Sequence, residues 1–98
     1  MKTEVRVGPQ VEAFVKSLAP APRQALRRAI KGLARQKGDI KALEGKLSGW
    51  RRLRLGGYRV LYKETSHGGA RFINCVFANP RSVVYEIFSR LLADQLGE

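Results

Sequence analysis

Histidine and cysteine are nearly absent from this chain, and each shortage closes off a class of chemistry. The one cysteine, Cys75, rules out an internal disulfide framework and suits a reducing compartment. It lies in an apolar run, where a thiol behaves as a small buried hydrophobe. The one histidine, His67, sits in a Ser-His-Gly-Gly stretch, so no histidine pair is available for acid–base work and no Cys/His cluster has zinc spacing. Acidic residues are few and scattered: Glu4, Glu12, Asp39, Glu44, Glu64, Glu86, Asp94 and Glu98. That dispersal argues against a paired-carboxylate site or a carboxylate metal site. Neither glycine pair, Gly56-Gly57 or Gly68-Gly69, opens a helix as a phosphate loop would. Apolar runs long enough to span a membrane are missing. The opening MKTEVRVGPQ lacks the apolar core of a signal peptide, so a cytoplasmic location is expected. There are no internal repeats.

Positive charge is what the chain has in excess. Nineteen Lys and Arg against eight Asp and Glu give a formal charge of +11 and a pI near 10.7. A small domain stays soluble with a net charge of roughly 2 to 8, so the surplus points to a polyanionic partner. The length, 98 residues, fits a single domain over 1–98 with a modest core.

The stretch WRRLRLGGYRVLY, Trp50 to Tyr62, reads as a hairpin turning at Gly56-Gly57, because glycine supplies the positive φ of tight two-residue turns. Leu55 then faces Tyr58, Arg54 faces Arg59, Leu53 faces Val60 and Arg52 faces Leu61. Alternation places Leu53, Leu55, Tyr58, Val60 and Tyr62 on one face and Arg52, Arg54 and Arg59 on the other. Such a sheet is expected to pack on its apolar side and offer its arginines to an anion.

Upstream, Thr3–Val7 suits a short edge strand. Pro9 fits a first helical turn, and Val11, Phe14, Val15 and Leu18 recur at helical spacing. Pro20 and Pro22 break this helix and begin a second, with its stripe at Leu26, Ala29, Ile30, Leu33 and Ala34, running to Gln36 or Lys37 and stopping at Gly38. Residues 39–49 read as a connection. After the hairpin, Ser66–Gly69 is expected as a four-residue turn, followed by a buried strand, Ala70–Ala78, ended by Asn79-Pro80. Thr65 opposite Ala70 would set Tyr62 against Ile73, Val60 against Cys75 and Tyr58 against Phe77. This register brings Arg81 to the Gly56-Gly57 turn. A final amphipathic helix is predicted over Val83–Leu96. The expected fold class is α+β: an N-terminal strand and a helical hairpin on one face of a small, mainly antiparallel sheet, plus a C-terminal helix.

The cationic set Arg52, Arg54, Arg59 and Arg81, with Tyr85 four residues on, is the one constellation able to carry chemistry. Guanidinium groups aimed at a crowded anionic transition state can drive phosphoryl transfer, and a phenol can exchange a proton or stack on a base.

The helical hairpin, the segment KALEGKLSGWRRLRLGGYRVLYKE and the ending NPRSVVYE together resemble the RelE/ParE superfamily of toxins from toxin–antitoxin pairs. The resemblance covers about Val11 to Leu92, and G-Y-R-V-L-Y is its most specific part. It implies a ribosome-dependent mRNA endoribonuclease that blocks translation without metal or cofactor. Arg59, Arg81 and Tyr85 would be catalytic. Arg52 and Arg54, with the adjacent Arg51, would bind RNA. Arg59 and Arg81 would neutralise charge as a ribose 2′-OH attacks the neighbouring phosphate, while Tyr85 moves a proton or positions the base. The implied partners are the ribosome, mRNA and a cognate antitoxin whose acidic segment lies over the basic face in a joint oligomer; no membrane is implied. ParE-like relatives share the core and act on DNA gyrase, and a non-toxic nucleic-acid-binding relative is a third reading. Asn79-Pro80 departs from the basic or histidine residue many members carry before the arginine.

Overall fold

A computed structural model describes residues 2–95. The elements run β1 (Lys2–Val7), α1 (Pro9–Ser17), α2 (Pro20–Gly32), β2 (Asp39–Ala42), β3 (Arg51–Leu55), β4 (Tyr58–His67), β5 (Ala70–Pro80) and α3 (Val84–Gln95), with single 3₁₀ turns at Leu33–Arg35 and Gly45–Leu47. This is the expected α+β class, with strand order β1-β5-β4-β3-β2 in a five-stranded sheet. All neighbours are antiparallel except β1, which lies parallel to β5.

Prolines begin both helices of the hairpin, Pro9 opening α1 and Pro20 opening α2, where a missing N–H leaves no bond unmade. α2 ends at Gly32, earlier than the stripe alone predicts. The stripe continues through the 3₁₀ turn, and Gln36, at φ 55°, takes the left-handed conformation that stops it, two residues before Gly38, whose φ of 116° is also positive. Val11, Val15, Leu26, Ile30 and Leu33 pack onto Leu53, Val60, Tyr62, Ile73, Cys75 and Ala78 of the sheet. The hairpin register follows the sequence: Leu55 pairs Tyr58, Arg54 pairs Arg59, Leu53 pairs Val60 and Arg52 pairs Leu61.

Three expectations are corrected. Residues 39–42 are an edge strand, not part of a connection: Asp39 pairs Arg54 and Lys41 pairs Arg52. The turn after β4 is two residues long, because Gly68 and Gly69 both take positive φ, 58° and 79°. That geometry matches strand twist, so His67 meets Ala70 and Thr65 meets Phe72. A bulge then adds a residue opposite Leu61/Tyr62: Tyr62 pairs Cys75, Leu61 pairs Phe77, Val60 pairs Ala78 and Tyr58 pairs Pro80. The extra residue, Val76, is exposed at 41 %, and β5 runs on through Asn79-Pro80. A bulge reverses the alternation beyond it. Phe77 accordingly leaves the helical-hairpin face and joins a second core with Leu47, Leu61, Val84 and Phe88.

That second core carries the third correction. α3 packs on the opposite face of the sheet from α1 and α2, so the sheet is covered on both sides. The side that pairing predicts as an open arginine face is half roofed. α3 starts at Val84; Leu96, the last residue of the predicted helix, lies outside the described residues.

Cys75 is 1 % exposed, and burial pushes its thiol from the ordinary 9.0 up to about 12. Burial also raises the Tyr62 phenol, with the Arg51 charge opposing the shift. For both groups the unfolded chain loses its proton first. At alkaline pH the unfolded state therefore binds fewer protons, and stability falls as pH rises. The Cys75 contribution is fully present below pH 9.0 and is lost as pH climbs towards about 12. Urea midpoints from pH 7 to 11 should fall above pH 9, less steeply in Cys75→Ala; parallel curves would contradict the assignment.

Candidate anion site on the second sheet face

Beside the α3 roof, the second face carries a polar row across four strands. Asp39 on β2 is register partner to Arg54 on β3, Arg54 to Arg59 on β4, and Arg59 to Asn79 on β5. In the next row, Lys41, Arg52, Leu61 and Phe77, the last two pass beneath α3. The bulge makes this arrangement: without the extra Val76, Asn79 would point to the helical hairpin.

The arginines differ in what holds them. Arg54 is exposed, with Nε 3.3 Å from an Asp39 carboxylate oxygen. Arg52 is half-buried; its Nη1 donates to the other Asp39 carboxylate oxygen at 3.2 Å and to the Asp39 carbonyl at 3.1 Å. Asp39 is thus the internal counter-anion of this pair, and an incoming phosphate would share or displace it. Arg59 is only 6 % exposed. Its Nη1 donates to the carbonyls of Gly56 and Tyr58, both at 2.9 Å. The other Arg59 nitrogens donate to no protein acceptor among the described residues, and the residue is almost wholly enclosed.

Arg81 follows β5, and its backbone N–H donates to the Gly57 carbonyl at 2.8 Å. The same glycine turn is therefore gripped twice, by the Arg59 guanidinium and by the Arg81 backbone. The Arg81 side chain is exposed and makes no ion pair among the described residues. A tight turn from Pro80 to Val83, closed by Val83 N–H to Pro80 C=O at 3.2 Å, leads into α3. Tyr85, on its first turn, is half-buried at the edge of the second core.

Arg51 stands apart. It shares its face with Tyr62, towards the helical hairpin, and its Nη1 lies 3.3 Å from Glu64, which also binds Arg71 at 3.0 Å. The structure brings Arg52, Arg54 and Arg59 onto one face and anchors Arg81 at the end of it; Arg51 is on the other. Sequence reasoning missed Asp39 as a member, although Asp39-Ile40-Lys41-Ala42 alternates as a strand should. Asn79 was noticed only as a departure from a pattern.

Arg59 makes a test separable from chemistry. A part-buried carbonyl stripped of a charged donor loses a bond worth about 1.5–3 kcal/mol. Arg59→Ala should therefore lower unfolding free energy by about 2 kcal/mol, with Arg59→Lys recovering part of it. An unchanged urea midpoint in Arg59→Ala would show that the guanidinium does not hold the turn.

Among the described residues there is no cluster of metal-ligating side chains, and no helix is long and apolar enough to cross a membrane.

No protein-family model matches the chain, and no curated protein matches it. Solved structures do. An archaeal RelE–RelB complex from Pyrococcus horikoshii is 29% identical, with TM-score 0.61, covering 83% of this chain and 97% of that one. The RelBE2 toxin–antitoxin complex from Mycobacterium tuberculosis is 22% identical, with TM-score 0.63, over 81% of this chain and 91% of that one. A YoeB/ParE toxin from Agrobacterium tumefaciens is 15% identical, with TM-score 0.64, over 83% and 99%.

Proposed function

Since the chain belongs by its fold to the RelE/ParE toxin superfamily, we propose that it is the toxin of a toxin–antitoxin pair, acting as an endoribonuclease on mRNA in the ribosome. One observation carries the reading: an exposed arginine, Arg81, anchored by its backbone to the turn that Arg59 clamps, at the end of a sheet row already holding Arg54 and Arg59. An anchored backbone fixes where the Arg81 side chain starts, and cations stationed where charge develops are what a phosphoryl transition state uses.

In the proposed reaction a ribose 2′-oxygen attacks the adjacent phosphorus and the bond from phosphorus to the 5′-oxygen breaks. The products are a 2′,3′-cyclic phosphate and a free 5′-hydroxyl. Arg81, with the charge of the enclosed Arg59 behind it, neutralises the extra charge on the phosphoryl oxygens. Tyr85 takes the 2′-OH proton or returns one to the leaving oxygen, directly or through water. Arg52 and Arg54 hold the flanking phosphates in place of Asp39. The partner would be an antitoxin presenting an acidic segment, as the RelE and RelBE2 relatives are found with antitoxins. The chain would work in the cytoplasm, where its ribosome target lies.

The test is induction in a bacterial host, with 5′-hydroxyl mRNA ends mapped on translating ribosomes. Intact transcripts in growth-arrested cells would reject the nuclease. A gyrase-directed reading draws on two observations: Asp39 already occupies Arg52 and Arg54, and Tyr85 is partly packed. Inhibition of gyrase supercoiling by purified chain, with transcripts intact, would favour it. Unaffected growth would favour a non-toxic nucleic-acid-binding relative.

A further inference from the structure

A second cationic surface lies on the far side of the sheet, where no step of the proposed reaction needs it. From Arg23 to Gly38 the chain has six cations, Arg23, Arg27, Arg28, Lys31, Arg35 and Lys37, and no acidic residue. All but Arg23, which is half-buried, are exposed. None makes an ion pair among the described residues. The buried stripe of α2, Leu26 and Ile30, continued by Leu33, faces the sheet, so the cations form the outer ridge of the hairpin, with Arg27 and Lys31 at the rim of a cleft they share with Val5, Val7 and Glu12. The sheet separates this ridge from Arg81.

Helix stability does not account for this arrangement. Arg23/Arg27 and Arg27/Lys31 stand at i,i+4 and Arg28/Lys31 at i,i+3, where like charges repel. The first turn of α2 has no acidic residue and holds Arg23, a cation at the positive end of the helix dipole. A ridge that weakens its own helix fits an external anion.

We propose that this ridge binds the phosphate backbone of double-helical RNA. The composition selects that occupant. Protein interfaces are anchored by buried aromatic and aliphatic side chains, and the large exposed apolar residues, Val7, Val76, Ile87 and Leu91, all lie off α2. Single-stranded RNA is held on aromatic platforms, and the segment from Arg23 to Gly38 has no aromatic residue. Charge without anchors or stacking surfaces is the footprint of backbone recognition, which reads shape and phosphate spacing. The ridge goes beyond the cleavage reading and rests on it only for the choice of RNA over DNA: it would hold a folded RNA while the opposite face is free for a second strand.

The test uses the full chain carrying Arg81→Ala, which keeps RNA intact, and fluorescence anisotropy with a labelled 20-base-pair RNA duplex of mixed sequence in 50 to 300 mM KCl. Arg27→Gln/Arg28→Gln/Lys31→Gln should weaken binding about 10-fold or more at 50 mM and flatten the salt slope by roughly two to three, since each phosphate contact contributes about 0.7 to 0.9. Lys2→Gln/Lys46→Gln/Arg90→Gln removes the same charge elsewhere and should change affinity less than about 3-fold. Equal losses in the two triple variants would reduce the effect to net charge and overturn the proposal. Unchanged binding by the ridge variant would also overturn it. So would polyglutamate of matched charge binding the parent chain as tightly as the duplex, which would mark an acidic protein site instead. Melting temperature of the ridge variant should equal or exceed its parent's. If its helical signal is lost, Arg35→Gln/Lys37→Gln, beyond the end of α2, carries the same test with a slope change near 1.5.

Discussion

Arg81→Ala is expected to reduce RNA cleavage by about 10²–10³-fold, the cost of deleting one donor to a developing oxyanion. In cells the same change should abolish growth arrest and the mapped mRNA ends together. Its effect on stability should be negligible, because the Arg81 side chain is exposed and its structural bond, to the Gly57 carbonyl, uses the backbone N–H. That separation gives the experiment its force. A variant that melts with the wild type yet does not cut has lost a transition-state contact. Arg81→Lys should recover only part of the rate, since an ammonium cannot present the planar guanidinium fork. Wild-type cleavage by Arg81→Ala would remove Arg81 from the mechanism, and the assignment of the site with it.

Phe88→Ala should be the most destabilising of the substitutions considered. Phe88 is 2 % exposed, stacks on Phe77 at 5.7 Å and meets the Trp50 ring edge-on at 4.8 Å. Truncating a core phenylalanine costs about 3–5 kcal/mol, a large share of the roughly 5–15 kcal/mol that hold a domain together. For a chain of this size the melting temperature should fall on the order of 15 °C. Trp50, the only tryptophan, should report the loss as red-shifted emission. Cleavage should fall as well, since α3 seats Tyr85 beside the sheet. In contrast to Arg81→Ala, the loss should be smaller at low temperature, where more chain is folded. A cost below about 1 kcal/mol would mean that α3 is not docked on Trp50 and Phe77 as described.

Much of the fold was legible because it rests on local signals. Prolines open both helices of the hairpin, helical spacing marks Val11, Val15, Leu26 and Ile30, and Gly56-Gly57 sets the register of Arg54 against Arg59. The strand over residues 39–42 was not recognised, being short and an edge; its partner β3 lies beyond a 3₁₀ turn. Local signals place the second hairpin two residues off, since Ser66 and His67 look like turn residues although only Gly68 and Gly69 turn. The bulge at Val76 has no sequence signature of its own: an apolar run looks the same whether it alternates or slips.

Those two slips decide the site. Composition and local pattern determine by themselves that the chain is a basic α+β domain, that Arg52, Arg54 and Arg59 share a strand face, and that Arg81 and Tyr85 stand four residues apart. Tertiary structure alone decides that Phe77 and Asn79 turn to that face, that α3 roofs half of it, and that Arg51 is left on the other. It alone decides that Asp39 is the counter-ion of Arg52 and Arg54 and that the Arg59 guanidinium is tied to its own turn. The physical reason is range. Turn chemistry and side-chain period act within a few residues, whereas the bulge and the covering helix are settled by how two cores, on opposite faces of one sheet, exclude water together.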